Sequence, residues 1–347
     1  MKTDFPVSIF EGVALGLVLA IIASLIAIDY ARRRKLMDAP GEEPHKIHEQ
    51  PTPIAGGIAL IIVLLFGWIV NQKEFGDLWK VLLPALMIFA VGIRDDLRRI
   101  RFWIKLLVEV FAAILLISFG IQVHAVQIIF TGIPVSVANM FDLATTVFWI
   151  VGMTNAYNFL DSMDGLALGV AVITSIFLAF ASLFSDQMNL ALFMAFLAGT
   201  CYGLYYFNSY PARLFLGDSG ALTLGFLLSA TSLLYNPRVF PQPSSWFVPV
   251  IILGLPIFDV ILVVTSRIRR HRPIYQADRG HTYHRLVAIG IPPNQAVLTL
   301  HLVSLLLGCL AFIAMNLPPI ASNAIFIGTI LAGIALIAYL DDRRRWR

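Results

Sequence analysis

Long apolar runs separated by short polar clusters set the pattern of this chain. A helix that crosses a bilayer needs about 20 apolar residues. Eleven runs approach that length: 7–28, 55–71, 78–94, 103–120, 138–157, 164–184, 187–206, 217–235, 246–266, 295–315 and 321–340. The second and third are short, and the seventh follows tightly on the sixth. The connection 121–137 alternates in part and holds a glycine-containing turn, which predicts a short β-hairpin. His124 within it reads as a surface histidine. The expected fold class is an all-α polytopic membrane protein with 11 transmembrane helices, forming one domain over 1–347.

Composition agrees. Hydrophobic residues make up 59% of the 347 positions and charged residues 13%, against roughly 25% charged in a soluble domain. The mean hydropathy is +0.82. The net charge of +4 does not point to nucleic acid, because the basic residues sit in short clusters between apolar spans. Cys201 and Cys309 both fall within spans and read as small core residues, with no disulfide or metal site. The first apolar run is followed by basic residues and reads as an uncleaved first span.

Lys and Arg orient the spans, because cytoplasmic loops retain them. With the N-terminus outside, the inner segments are 31–54, 94–105, 157–164, 207–217, 267–294 and 341–347. Of the 25 Lys and Arg, only Lys2, Lys73, Lys80 and Arg238 then lie outside. An even number of spans breaks this asymmetry, so the C-terminus is expected in the cytoplasm.

Glu109 and Asp259 are the main charges inside the spans, whereas the other acids crowd at inner helix ends. Asp95 and Asp96 close the third span, Asp161 and Asp164 lie between the fifth and sixth, and Asp218 opens the eighth. Five carboxylates on one face call for a cation, and oxygen-only ligands suit Mg²⁺ or Mn²⁺. An acid at a helix N-terminus can also simply complement the dipole, which covers Asp164 or Asp218 taken alone. The adjacent pair Asp95-Asp96 sits at a helix C-terminus, where the dipole disfavours acids; Arg94, Arg98 and Arg99 could partly offset it. Asn158, Asp161 and Asp164 recur every third residue and on a helix would share an arc of about 120°. Polar groups there are costly against lipid, so a wet cavity or a partner is expected.

The segment 207–220 supplies Pro and Gly turns, Arg213, and backbone N–H groups at a helix start that could meet phosphate. The longest inner loop, 267–294, is basic and contains Arg279, His281, His284 and Arg285. It can meet anionic headgroups, or act as a set of donors to a diphosphate or sugar. Its His-x-x-His spacing lacks the further ligands zinc needs. Lys46 and His48, in the first inner loop, could join the same site.

Six blocks together carry a resemblance: Lys46-Ile-His48-Glu-Gln-Pro-Thr52-Pro-Ile-Ala-Gly56-Gly57, Gly92-Ile-Arg-Asp95-Asp96, Asn155 to Gly165, Phe207 to Gly220, Pro256-Ile-Phe-Asp259, and Asp278-Arg-Gly-His281-Thr-Tyr-His284-Arg-Leu. In order along nearly the whole chain, they resemble the polyprenyl-phosphate N-acetylhexosamine-1-phosphate transferases of glycosyltransferase family 4. The nearest branch resembles the bacterial enzymes that use UDP-N-acetylglucosamine to begin O-antigen, enterobacterial common antigen or wall teichoic acid synthesis.

The resemblance implies a multi-span fold with a cytoplasmic cleft in the bacterial inner membrane, a UDP-sugar donor, a polyprenyl phosphate acceptor, Mg²⁺ (or Mn²⁺) and a homodimer. By motif position it makes Asp218 the main metal ligand, with Asp161 beside it. Asp95, Asp96 and Asp161 are the catalytic candidates. Asn158, Asp164, Asn208 and Phe215 line the nucleotide pocket. Lys46, His48, Thr52, Arg99, Arg279, His281 and His284 approach the phosphates or sugar. Asp259 matches a motif position without an assigned role. Two departures stand out. Ser162 replaces a usual Gly, which is tolerable only if its backbone does not need a positive φ. Tyr283 replaces the middle histidine of the last motif and could stack on or bond to a sugar ring.

The implied reaction is attack of a lipid phosphate oxygen on the sugar-linked phosphorus, with UMP departing. One diphosphate replaces another, so the reaction is expected to be reversible. A phosphate monoester has a second pKa of about 6, so Asp95 or Asp96 is needed less as a base than to position metal or lipid. A covalent aspartyl-phosphate route stays open. The muramoyl-pentapeptide branch of the family resembles a Pro-rich loop ending in three histidines, which this chain lacks. A polytopic transporter predicts paired midplane polar sites in two related halves, and these are not seen. A CDP-alcohol phosphotransferase predicts an Asp-Gly-x-x-Ala-Arg motif, also absent.

Overall fold

The computed structural model describes residues 5–38, 51–124, 132, 134–236, 246–273 and 280–341. Lys46, His48 and Arg279 lie outside these, as do 125–131 and 133 of the predicted hairpin; its end, from Val135, is helical.

Each predicted apolar run appears as helix. In chain order these are α1 Phe5–Arg34, α2 Gly56–Val70, the short α3 Gln72–Phe75, α4 Trp79–Leu97, α5 Phe102–Ser118, α6 Val135–Leu160, α7 Leu166–Phe184, α8 Met188–Asn208 and α9 Gly217–Leu234. Then follow α10 Val248–Ile252, α11 Gly254–Arg269, α12 Thr282–Ala288, α13 Pro293–Met315 and α14 Pro319–Leu340. The all-α expectation needs one small correction: β1 Met37–Asp38 pairs antiparallel with β2 Thr52–Pro53. Among the described residues, 7 helices are long and apolar enough to cross a membrane.

The other four predicted spans differ for physical reasons. Helix α2 has 15 residues and α5 has 17. The ninth predicted span is broken after Ile252. Pro256 has no N–H to give Ile252, and its ring crowds that carbonyl, so one helix ends and another begins. Helix α9 is polar because it is central. It packs against α2, α4 and α6, and every residue from Ser219 to Ser232 is buried. Four of its hydroxyls, those of Thr223, Ser229, Thr231 and Ser232, bond to carbonyls of the same helix, so they cost little in an apolar interior.

Around this centre, α1 lies along α8, α8 along α7, and α13 along α7. Two glycines bring helices onto the start of α9. A Cβ on Gly57 would strike Ser219 and Gly220, and one on Gly92 would strike the Ser219 backbone. The outer helices show apolar side chains outward. In α14, Ile327, Ile330, Leu331, Ile334 and Leu336 are all exposed, as suits contact with lipid.

Candidate functional site

The motif residues meet where five helix ends converge: the C-termini of α4, α6 and α8 and the N-termini of α5 and α9. Asp96, at the end of α4, reaches the start of α9. Its Oδ1 accepts the Asp218 N–H at 2.8 Å and its Oδ2 the Ser219 N–H at 3.1 Å. These are donors that a helix start leaves unsatisfied. An acid misplaced on its own helix is thus well placed at the positive end of another.

Asp95 is offset differently. It accepts the Ile100 N–H at 2.7 Å and lies 2.9 Å from Lys105 Nζ. The same ammonium lies 2.7 Å from Asp218 Oδ2, while Asn158 Nδ2 donates to Asp218 Oδ1 at 3.1 Å. Lys105 therefore joins two carboxylates 123 residues apart in sequence. Arg94, expected to help offset the pair, instead donates to the Arg98 carbonyl at 3.2 Å.

The helical arc of Asn158, Asp161 and Asp164 needs correction. Helix α6 ends at Leu160, Asp161 is its C-cap, and Gly165 takes φ +77° ahead of α7. Asp164 therefore sits in a turn, where its Oδ2 accepts the Ala212 N–H at 3.0 Å. Glycine suits Gly165 because only it adopts that φ without strain. Ser162 is not among the described non-glycine residues with positive φ, so serine fits there. The earlier polar member, Asn155, donates to Glu109 on α5 and to Val151 O.

Asp161 has a distinct environment. Burial pushes its carboxyl well above the ordinary value, and the charges of Asp218, Asp96 and Asp164 push it further. Among the described residues, no group hydrogen-bonds its carboxylate. A cation here would relieve both costs. Asp161 and Asp218 thus fit Mg²⁺ by donor chemistry and field. No three His, Cys, Asp or Glu groups among the described residues already stand together for a metal, and Lys105 fills the gap between Asp95 and Asp218.

Two sequence-distant segments are sewn together beside this cluster. The Phe215 N–H donates to Pro53 O at 2.8 Å, Gly56 N–H to Phe215 O at 2.9 Å, and Gly57 N–H to Leu216 O at 3.0 Å. Thr52 is buried next to this seam and Phe215 is half-buried in it. Asn208, expected to line a nucleotide pocket, is 3% exposed. Its Oδ1 accepts the Gly165 N–H at 3.0 Å and its Nδ2 donates to Leu214 O at 2.9 Å. It ties the turn after α6 to the loop before α9. Arg213 lies over the Tyr206 and Phe207 rings at 4.7 and 5.0 Å. Arg99 is exposed at the rim.

The last motif folds as α12 against the turn after α6. His281 packs beside Phe159, with ring centroids 5.3 Å apart, and His284 is half-buried. Tyr283 corrects its expectation: it is 3% exposed, packed in the core. Burial pushes its phenol up, and the charge of Asp164 adds to that. Arg285 likewise is no free donor to a ligand. It is 1% exposed and donates to Gly280 O, Leu340 O and Asp341. Asp341, just past α14, also meets Arg269 at 2.7 Å and Arg270 at 3.3 Å. The C-terminal end of α14 is thereby fastened to the loop that carries His281. Lys105 was the residue that sequence reasoning missed; the available signal was a lone lysine one turn into an apolar helix.

Together these features define an integral membrane protein whose charged and polar groups converge at one end of its helix bundle. The family model for Glycosyl transferase family 4 matches residues 78–236. A Bacillus subtilis (strain 168) protein named probable undecaprenyl-phosphate N-acetylglucosaminyl 1-phosphate transferase is 30% identical over 87% of this chain and 84% of its own length. The Mycobacterium leprae decaprenyl-phosphate N-acetylglucosaminephosphotransferase is 29% identical, over 95% and 88% respectively. A Clostridioides difficile phospho-N-acetylmuramoyl-pentapeptide-transferase is 27% identical, over 87% and 96%. The chain belongs to glycosyl transferase family 4.

Proposed function

We propose that this chain transfers N-acetylglucosamine 1-phosphate from UDP-N-acetylglucosamine to a polyprenyl phosphate, releasing UMP. The observation that carries this reading is the Lys105 ammonium set between Asp95 and Asp218 beside the start of α9. A mobile point charge among carboxylates suits a site that receives phosphate together with a metal cation. The named activities of the relatives support the donor and acceptor.

In this reading Lys105 turns to the donor's phosphate oxygens when substrate enters. Asp96 holds the start of α9 so that Asp218 keeps its place. Asn158 orients the Asp218 carboxylate. Asp95 positions Lys105 and the acceptor. Asp218 and Asp161 would hold Mg²⁺, which when bound would offset charge on the diphosphate. The attacking phosphate is largely a dianion already, so the residues serve position and field more than proton removal.

The reading includes eleven spans, an outer N-terminus, a cytoplasmic site in the bacterial inner membrane, and a homodimer. The Asp341 cluster supports placing the C-terminus on the side of the site, because it ties α14 to the 269–285 region. The decisive assay uses purified protein, polyprenyl phosphate, Mg²⁺ and a panel of UDP-sugars, with UMP release measured. Release with UDP-N-acetylglucosamine is expected. Efficient turnover of UDP-N-acetylmuramoyl-pentapeptide instead would move the chain to the other activity named among its relatives.

A further inference from the structure

Asp259 is a carboxylate within the ninth predicted span, ten residues before the end of α11 and so roughly 15 Å from it. It is 2% exposed. A charge so placed is costly unless hydrogen-bonded, and such residues in membrane helices usually serve function. Asp259 is satisfied from a single element. Its Oδ1 accepts both the backbone N–H and the hydroxyl of Thr282, each at 2.6 Å. Its Oδ2 lies 2.8 Å from His281 Nδ1. The first contact caps α12, whose N-cap is His281. The second selects a tautomer, because a carboxylate only accepts, and so Nδ1 must carry the proton.

The remaining nitrogen, Nε2, bonds to no group among the described residues. The ring borders a narrow crevice shared with Phe159, Ser162 and Tyr283. Ser162 follows Asp161 directly, so this crevice adjoins the carboxylate cluster.

We propose that Asp259 is a positioning residue, which holds His281 with Nδ1–H engaged and Nε2 turned to the crevice to accept a hydrogen bond from a hydroxyl or N–H of the donor sugar. The ligand assignment rests on the transferase reading; the placement of the ring does not. If Asp259 served only to cap α12, asparagine would replace it well. The amide oxygen would still accept from Thr282, but its NH₂ would face His281 Nδ1 and reverse the tautomer.

The test compares the full-length protein with D259N, H281Q and the double variant in detergent. In the wild-type background D259N is expected to lower kcat/KM for UDP-N-acetylglucosamine at least tenfold. In the H281Q background it should change it less than twofold, since a residue acting through another adds nothing once that one is gone. Equal losses in both backgrounds would overturn the proposal. Independently, ¹⁵N spectra of histidine-labelled protein at pH 9, with His281 assigned by its loss in H281Q, should show protonated Nδ1 and bare Nε2, exchanged in D259N. Bare Nδ1 in the wild type would overturn the proposal even if D259N failed to fold. A protein inactive on every UDP-sugar but with protonated Nδ1 would sink the transferase reading and with it the sugar ligand, while the placement of His281 would stand.

Discussion

Lys105 Nζ lies 2.7 Å from Asp218 Oδ2, across the gap between the start of α5 and the start of α9. With Asp95 at 2.9 Å on its other side, this lysine is the internal cation of the cluster. Lys105→Met should lower UMP release by about ten- to a hundredfold, corresponding to roughly 1.5–3 kcal/mol for one charge-assisted bond. Lys105→Arg keeps the charge but brings a planar fork into a gap shaped for a point charge, and should remain well below wild type. Full activity of Lys105→Met would remove Lys105 from the mechanism.

Asp161 yields a prediction about stability and function together. Its carboxyl is held well above the ordinary value by burial and by neighbouring acids. A raised carboxyl opposes folding above its unfolded value of about 3.9, and the penalty is complete once the pH exceeds the folded value. Asp161→Asn should therefore raise the unfolding midpoint of the chelator-treated protein at pH 7. Near pH 3 that difference should vanish. The same variant should lose transfer, and Mg²⁺ should stabilise the wild type more than the variant. Thermal unfolding in detergent measures all of this; an unshifted midpoint at pH 7 contradicts the assigned environment.

Asp341 gives the opposite sign. Burial pushes its carboxyl up, but bonds from Ser266 and Arg285 and the charges of Arg285 and Arg269 hold it below the ordinary value. Its stabilisation is present above the unfolded value and fades as the pH falls through the folded one. Removing one partner of a buried ion pair costs about 3–5 kcal/mol. Asp341→Asn should thus unfold at lower temperature at pH 7 and converge with wild type in acid. A variant that matches wild type at pH 7 would mean that the C-terminal clasp contributes nothing.

Topology can be read by thiol labelling. The native cysteines are Cys201, buried, and Cys309, exposed, so the background needs Cys309→Ser. A cysteine at position 344 should resist an impermeant reagent in intact cells and react after permeabilisation. Labelling from outside would refute a cytoplasmic C-terminus.

Much of the fold was legible because its driving pattern is local. A run of some twenty apolar residues closes its own hydrogen bonds as a helix, and each predicted run is helical. The clustering of Asp95, Asp96, Asp161 and Asp218 was legible too, since all fall at helix ends on the side rich in Lys and Arg. The break at Ile252 had a local signal in Pro256, but a 21-residue apolar stretch concealed it.

What the chain alone determined was which segments are helical and which residues carry charge at their ends. Tertiary structure decided their roles, because those depend on partners distant in sequence. Asp95 and Asp96 look equivalent in the chain, yet one holds Lys105 and the other caps α9. Asn208, Tyr283 and Arg285 read as ligand contacts, and packing encloses all three. Asp259 had a motif position but no role until α12 folded against it. A side chain's type limits what it can bond; only the packed bundle determines which groups come within 3 Å of it.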